Sequence, residues 1–237
     1  MIKAVNASLQ FRIHIPRGQS RASDAGKLAL SGVGGIASRA GNYGIIRALD
    51  DVNFQVESGQ RMAILGHNGS GKSTLLRVLA GVYPLTSGEL KVEGSVQTMI
   101  DISLGLESDY TARENFELRR ALLGIEVADV SAYRDEVFSI AGLGEYLDFP
   151  IRTYSTGMML RLAFAMAYVS DADILLMDEW LSVGDAEFRA LTTKLLQDKV
   201  RNARCVVMAT HDEGLAKSVC TSFIRLEHGR VVDSGLW

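Results

Sequence analysis

The 237-residue sequence contains only two cysteines, Cys205 and Cys220. Two thiols at this spacing supply neither a disulfide framework nor a metal-binding cluster, and the first sits in an apolar run that reads as core. A reduced, cytosolic setting is the simplest reading. Basic excess is also missing. Lys and Arg number 25 against 28 Asp and Glu, a net charge of -3, which offers no basic face for non-specific nucleic-acid binding. No apolar run approaches the roughly 20 residues that span a bilayer. The best stretch, Leu160 to Val169, is short and carries Arg161. Met1 to Ile15 alternates like a strand and lacks the apolar centre of a signal peptide. Any role at a membrane must therefore come through a partner. There is no internal repeat and no low-complexity tail.

The chain is long enough for one large or two small domains, and its 47% hydrophobic content suits a packed globular protein. Val5 to Ile15 reads as a strand. Residues 16 to 42 hold Pro16, six glycines and several serines and arginines, and read as an irregular insertion with a short helix around Ser23 to Leu30. Gly32-Val33-Gly34-Gly35 has no preceding strand and no acidic partner at the right distance, so it reads as loop and not as a dinucleotide site. Strand patterning resumes from Tyr43 to Val56. Short strands follow in Gly88 to Ile100, then helices over Ala112 to Leu123, Val130 to Ala141, Gly157 to Tyr168 and Ala186 to Arg201. Phe223 to Val232, with His228-Gly229 in the middle, reads as a hairpin.

The strongest pattern is Gly66-His67-Asn68-Gly69-Ser70-Gly71-Lys72-Ser73-Thr74. It follows the apolar run Met62 to Leu65 and precedes the helical run Leu75 to Ala80. Strand, glycine-rich loop and helix with G-x-x-x-x-G-K-[ST] between them make a site for a triphosphate. The N–H groups of residues 69 to 73 are expected to cradle phosphate oxygens at a positive helix end. Lys72 supplies a point charge, and Ser73 offers a hydroxyl to Mg²⁺.

Two further apolar runs behave like Met62 to Leu65. Ile174 to Met177 leads into Asp178 and Glu179, and Val206 to Ala209 leads into Thr210 and His211. Each reads as a strand buried on both faces, and open parallel sheets bind ligands at the carboxyl ends of such strands. Asp178 is placed to hold Mg²⁺, and Glu179 to orient and deprotonate a water. His211 can hydrogen-bond the γ-phosphate or that water. Taken alone, the acidic pair reads equally well as a helix cap, and a single histidine is more often structural. Tyr43, 23 residues before Gly66, can stack on an adenine or simply pack.

Tyr154-Ser155-Thr156-Gly157-Met158 precedes a helix; Ser155 lies 23 residues before Asp178, and His211 lies 33 after it. With the phosphate loop, this arrangement resembles the ATP-binding subunit of an ABC transporter from Met1 to about Gly235. The resemblance implies an α/β P-loop NTPase of the ABC ATPase fold: a RecA-like core, an antiparallel β-subdomain and a helical subdomain at about 99–170, in one domain over 1–237. It implies that Gly66 to Thr74 is the Walker A loop and Ile174 to Glu179 Walker B, with Glu179 as catalytic base. His211 becomes the switch histidine, Tyr43 the adenine-stacking aromatic, and Ser182-Val183-Gly184-Asp185 the D-loop. It further implies ATP and Mg²⁺ held between two subunits facing head to tail. Ser155 and Gly157 of one would reach the γ-phosphate on the other, so the active form is a homodimer.

The sequence departs from the family pattern in places. Tyr154, Thr156 and Met158 replace three of the five residues of L-S-G-G-Q. The D-loop reads S-V-G-D, not S-A-L-D. The glutamine usually found before T-x-R-E-N falls at Ile102; its role at the metal is expected of Asp101, with Gln97 the alternative. Y-S-T-G-M, I-D-I-S-L-G-L-E before T-A-R-E-N, V-G-D-A-E-F and L-E-H-G-R resemble the subunits that export O-antigen, lipopolysaccharide, capsule and teichoic acid. The insertion at 16–42 fits that group too. Some of its members add a C-terminal carbohydrate-binding domain, for which a chain ending at Trp237 has no room. The implied function is ATP-driven export of a lipid-linked polysaccharide through separate integral-membrane permease subunits. The implied place is peripheral, on the cytoplasmic face of the inner membrane, without insertion and without nucleic acid. An importer or drug-exporter subunit fits the signature and D-loop less well. A soluble ABC-type ATPase acting on DNA or ribosomes would bring coiled coils or two ATPase units. A small GTPase would carry N-K-x-D, which is missing.

Overall fold

The computed structural model describes residues 1–14, 37–40, 43–170, 172–179 and 186–237, with only the backbone described for 37–40. In chain order the elements are β1 (Ile2–His14), β2 (Ala37–Ala40), β3 (Tyr43–Val56), β4 (Arg61–Leu65), α1 (Lys72–Leu79), β5 (Ser87–Val92), β6 (Val96–Met99), α2 (Ala112–Leu122), α3 (Val130–Ala141), α4 (Thr156–Tyr168), β7 (Ile174–Asp178), α5 (Ala186–Asn202), β8 (Cys205–Thr210), α6 (Glu213–Val219), β9 (Ser222–Glu227) and β10 (Arg230–Leu236). Two compact units result. The first comprises Met1–Val96, Asp173–Glu179 and Ala203–Trp237; the second comprises Gln97–Ala172 and Trp180–Asn202.

In the first unit, an antiparallel sheet runs β2-β3-β1-β5, and the other sheet carries β10-β9-β4-β8-β7 in that order. β4 pairs parallel with β8 and β9, and β8 pairs parallel with β7. Met62 to Leu65, Ile174 to Met177 and all of Cys205–Thr210 are buried. Near-continuous apolar runs are what strands covered on both faces require. The β1–β3 pairing shifts register between Ala4 and Gln10. Asn6 and Asp51 sit there at positive φ (50° and 57°), and the Asn6 side chain donates to the Asp51 carboxylate at 2.8 Å. Short side chains that bond locally make such bulges tolerable.

Residues 37–40, read from sequence as part of an irregular insertion, instead form β2, antiparallel to the start of β3. Backbone pairing to an existing strand edge supplied what composition did not show. The helix expected around Ser23 to Leu30 and the Gly32-Val33-Gly34-Gly35 run lie outside the described residues. The seven-residue α6 was not expected; its signal is local, an Asp212 N-cap that accepts from Leu215 N–H at 3.0 Å.

The second unit has its own core, in which Phe116, Phe138, Leu147, Ile151, Leu162 and Met166 come together. Thr111 and Glu114 form a reciprocal capping box at the start of α2. Asn115, fully buried, accepts from Glu107 N–H at 2.7 Å and donates to the carbonyls of Glu107, Tyr110 and Thr111. T-A-R-E-N is thus a knot that ties the preceding loop onto its helix. α4 is apolar nearly all round and buries Leu162 to Ala167. Among the described residues no helix is long and apolar enough to cross a membrane.

Candidate functional site

The three polar strand ends meet in the first unit. β4 opens into the loop Gly66 to Gly71, which turns into α1. Gly66 has φ 150°, and a Cβ there would come within 2.5 Å of the Leu226 carbonyl oxygen and of Ser70 Oγ, so no other residue fits unaltered. Ser70 N–H donates to the His67 carbonyl at 3.1 Å. The amide cradle expected over residues 69 to 73 therefore loses Ser70, whose donor is spent inside the loop. α1 starts with no side-chain cap and no acidic residue in its first turn. Its first N–H groups and its positive end are left for an anion. Ser70 Oγ is buried with no hydrogen-bond partner among the described residues, an orphan polar atom in the wall of the loop. Gly69, Lys72, Ser73 and Thr74 continue the same turn; Asn68 and His67 are exposed at its rim.

Lys72 is buried to 7% exposure, and its Nζ donates to the carbonyls of Gly66 (2.7 Å) and His67 (3.0 Å). Burial pulls its pKa below the ordinary lysine value, while the charges of Asp178 and Glu179 push it back up. Those two carboxylates thus act on the same ammonium. Asp178 ends β7, and Glu179 follows with φ 63°, a left-handed backbone that L side chains rarely adopt. The Glu179 N–H donates to the Ala209 carbonyl of β8 at 2.8 Å, which holds that turn in place. Its Oε1 lies 2.6 Å from Nδ1 of His211, just past β8. The carboxylate accepts, so Nδ1 carries the proton. Both side chains remain more than half exposed, at 51% and 67%, as groups that must meet a water do. A carboxylate oriented by an imidazole, beside a lysine and a phosphate-shaped loop, can activate water against a phosphoryl group.

A support beneath the loop escaped sequence reasoning. Gly229, in the β9–β10 turn, donates its N–H to the Ser70 carbonyl at 2.9 Å and accepts from Asp50 N–H at 2.9 Å. Arg230 pairs with the Asp50 carboxylate at 2.5 Å. The one signal in the sequence is the His-Gly dipeptide of the hairpin, which says turn but not what the turn touches.

Tyr43 stands at the start of β3, 53% exposed, in edge contact with His14 (ring centroids 5.6 Å apart). The remaining predicted residues belong to the second unit. Ser155 caps α4, its Oγ accepting from Met158 N–H at 3.2 Å. Among the described residues, a Cβ on Gly157 would meet only Ser155 Oγ, at 3.9 Å. Asp101 is exposed, with φ 47°. Gln97 is buried and donates to the carbonyls of Ala167 and Tyr168, so it is spent on α4 and is not a substitute for the missing glutamine. Asp185, with the rest of S-V-G-D, lies outside the described residues. Among the described residues no group of three or more His, Cys, Asp or Glu is placed to hold a metal ion. Mg²⁺ in phosphate-loop proteins needs none, since a hydroxyl, one carboxylate, waters and the substrate's phosphates suffice.

The fold and this site define a phosphate-loop nucleotide-binding protein. Comparison with known proteins narrows the class. Residues 49–182 match the ABC transporter family. The chain is 37% identical over 231 residues to the O-antigen export system ATP-binding protein RfbE of Yersinia enterocolitica, covering 98% of this chain and 96% of that one. It is 39% identical to RfbB of Myxococcus xanthus, of the same description, over 79% of this chain but 43% of the relative. Against the teichoic acids export ATP-binding protein TagH of Listeria innocua, identity is 34%, over 79% and 56%. The dimeric ATP-binding cassette MJ0796, solved with ADP and Pi, superposes with a TM-score of 0.71 at 22% identity, over 100% of this chain and 98% of that one, which establishes the fold. The chain belongs to the ABC transporter family, as an ATP-binding subunit of the ABC ATPase fold.

Proposed function

We propose that this chain is the ATP-hydrolysing subunit of an exporter that moves a lipid-linked surface polysaccharide through a separate permease. The observation that carries the reading is the near end-to-end similarity to RfbE, a protein named for O-antigen export. The geometry supports hydrolysis. The Gly66–Thr74 loop and Lys72 bind the phosphates, Glu179 takes a proton from the attacking water, and His211 holds that carboxylate in place. Ser73 and Asp178 are the residues that would hold Mg²⁺, with Asp101 a further candidate; the ion would neutralise charge between the β- and γ-phosphates. Tyr43 would take the adenine.

The dimer belongs to the same reading. Ser155 and Gly157 of one subunit complete the γ-phosphate site of the other, and Asp185 is read as part of the same nucleotide site. Among the described residues, only Ser155 Oγ, at 3.9 Å, would meet a Cβ on Gly157, which leaves room for close approach by another molecule. The second unit also exposes Leu104, Tyr110, Leu122, Leu123, Tyr146 and Phe149, apolar side chains that a membrane subunit would cover. Such a subunit would hold the chain peripherally at the cytoplasmic face of the membrane.

The test replaces Glu179 with Gln in the chain's own host. ATP binding should persist, while hydrolysis falls by at least about 100-fold. Lipid-linked polysaccharide should build up inside the cell and vanish from its surface. Hydrolysis near the wild-type rate would contradict the role of Glu179; unchanged surface polysaccharide with dead hydrolysis would contradict the substrate.

A further inference from the structure

One pair of side chains in the first unit has ligand chemistry and no task in the reading above. The imidazoles of His67, at the rim of the phosphate loop, and His228, in the β9–β10 turn, lie 5.7 Å apart between centroids at an interplanar angle of 65°. Both residues are exposed. His67 Nδ1 lies 2.8 Å from the carbonyl oxygen of Asn68. A carbonyl only accepts, so Nδ1 carries the proton and the lone pair of the neutral ring is on Nε2. Metal-binding imidazoles are prepared in this way: one nitrogen donates to a carbonyl and fixes the tautomer, and the other is the ligand.

The separation of the rings agrees. With zinc–nitrogen bonds of about 2.0–2.1 Å and a ring centre about 1.15 Å behind each nitrogen, two imidazoles on one tetrahedral ion have centroids about 5.2 Å apart. On opposite sides of an ion the figure is about 6.4 Å. The observed 5.7 Å falls between these limits. The spacing is fixed by backbone, because Gly229, next to His228, is bonded to Ser70 of the phosphate loop at 2.9 Å.

We propose that His67 and His228 form a two-imidazole site for a transition cation, Zn²⁺ or Cu²⁺, with water completing its coordination. Imidazole nitrogen selects such ions, while Mg²⁺ prefers oxygen, so this site and the nucleotide's magnesium do not compete for the same metal. Bound there, the ion cross-links the phosphate loop to the turn that supports it.

The test uses the untagged full chain without nucleotide and titrates Zn²⁺ alone against a chromophoric chelator. About one ion per chain should bind with micromolar affinity, weakened about tenfold or more by His228→Gln and likewise by His67→Gln. Zn²⁺ should raise the melting temperature of the wild type, reversibly on chelation, and leave that of His228→Gln unmoved. The His228→Gln variant should keep basal ATP hydrolysis within about twofold. The proposal is overturned if His228→Gln binds zinc as the wild type does, if His211→Gln is the variant that abolishes binding, or if nothing binds at about 100 μM.

Discussion

Burial works against the charge on Lys72, and that charge is what the site needs. Its pKa lies below the ordinary lysine value of 10.5, because desolvation outweighs the attraction of Asp178 and Glu179. The sign for stability follows directly. The native chain releases this proton at lower pH than the unfolded chain, so between the two pKa values the group's contribution rises with pH. Nucleotide binding runs the other way, since phosphate needs the ammonium. MgATP affinity should therefore fall as pH rises toward the ordinary lysine range, and isothermal titration at alkaline pH should show proton uptake on binding. Lys72→Met should lack that uptake and bind weakly at every pH. At this scale the sequence was legible where chemistry is local. Lys72, Asp178, Glu179 and His211 were all named from their places at strand ends. The left-handed backbone of Glu179 was not, because it depends on a hydrogen bond to Ala209 from another strand. The bonds that Gln97, the alternative to Asp101, donates to helix carbonyls were equally out of reach, since they join residues 70 and 71 positions apart.

Elements were legible wherever one pattern decides the state. β4, β7 and β8 were clear from unbroken apolar runs, and α2 from the helical pattern over Ala112 to Leu123. β2 and the short α6 were not: the first depends on a neighbouring edge, and the second is too short for periodicity to show. The β9–β10 turn was foreseen as a hairpin, yet its work as the floor of the phosphate loop was invisible. That work makes Gly229 a sharp probe. A Cβ there would sit 2.6 Å from the Ala48 carbonyl oxygen, at φ 78°. Gly229→Ala should cost about 1–3 kcal/mol in denaturant unfolding and weaken nucleotide binding as well. Gly59→Ala is the control, with φ 86° and nothing within 4 Å of its Cβ. It should cost only the backbone term, about 1 kcal/mol, and leave nucleotide affinity alone.

The whole molecule carries the proposed site in two parts, with the phosphate loop in one unit and Ser155 and Gly157 in the other. If two copies pair head to tail, defects in the two parts should complement. Lys72→Ala and Gly157→Asp, each inactive alone, would on mixing form heterodimers in which one composite site bears both lesions and the other neither. ATP hydrolysis should recover to about a quarter of the wild-type level, since about half the dimers are mixed and each has one sound site. No recovery after verified subunit exchange would argue for sites complete within one chain. The family itself was readable because its motifs are strung along the sequence at fixed distances, and their combination says more than any one of them read alone.

The bonds at Gly229 also impose an order in time. Asp50 and Ser70 leave the ribosome well before Gly229, which follows Ser70 by 159 residues. A growing chain thus displays the full glycine motif long before the floor under it exists, because pairings this distant in sequence close late. The β9–β10 hairpin completes the support of the loop, so a half-made copy holds the motif without the bonds that brace it.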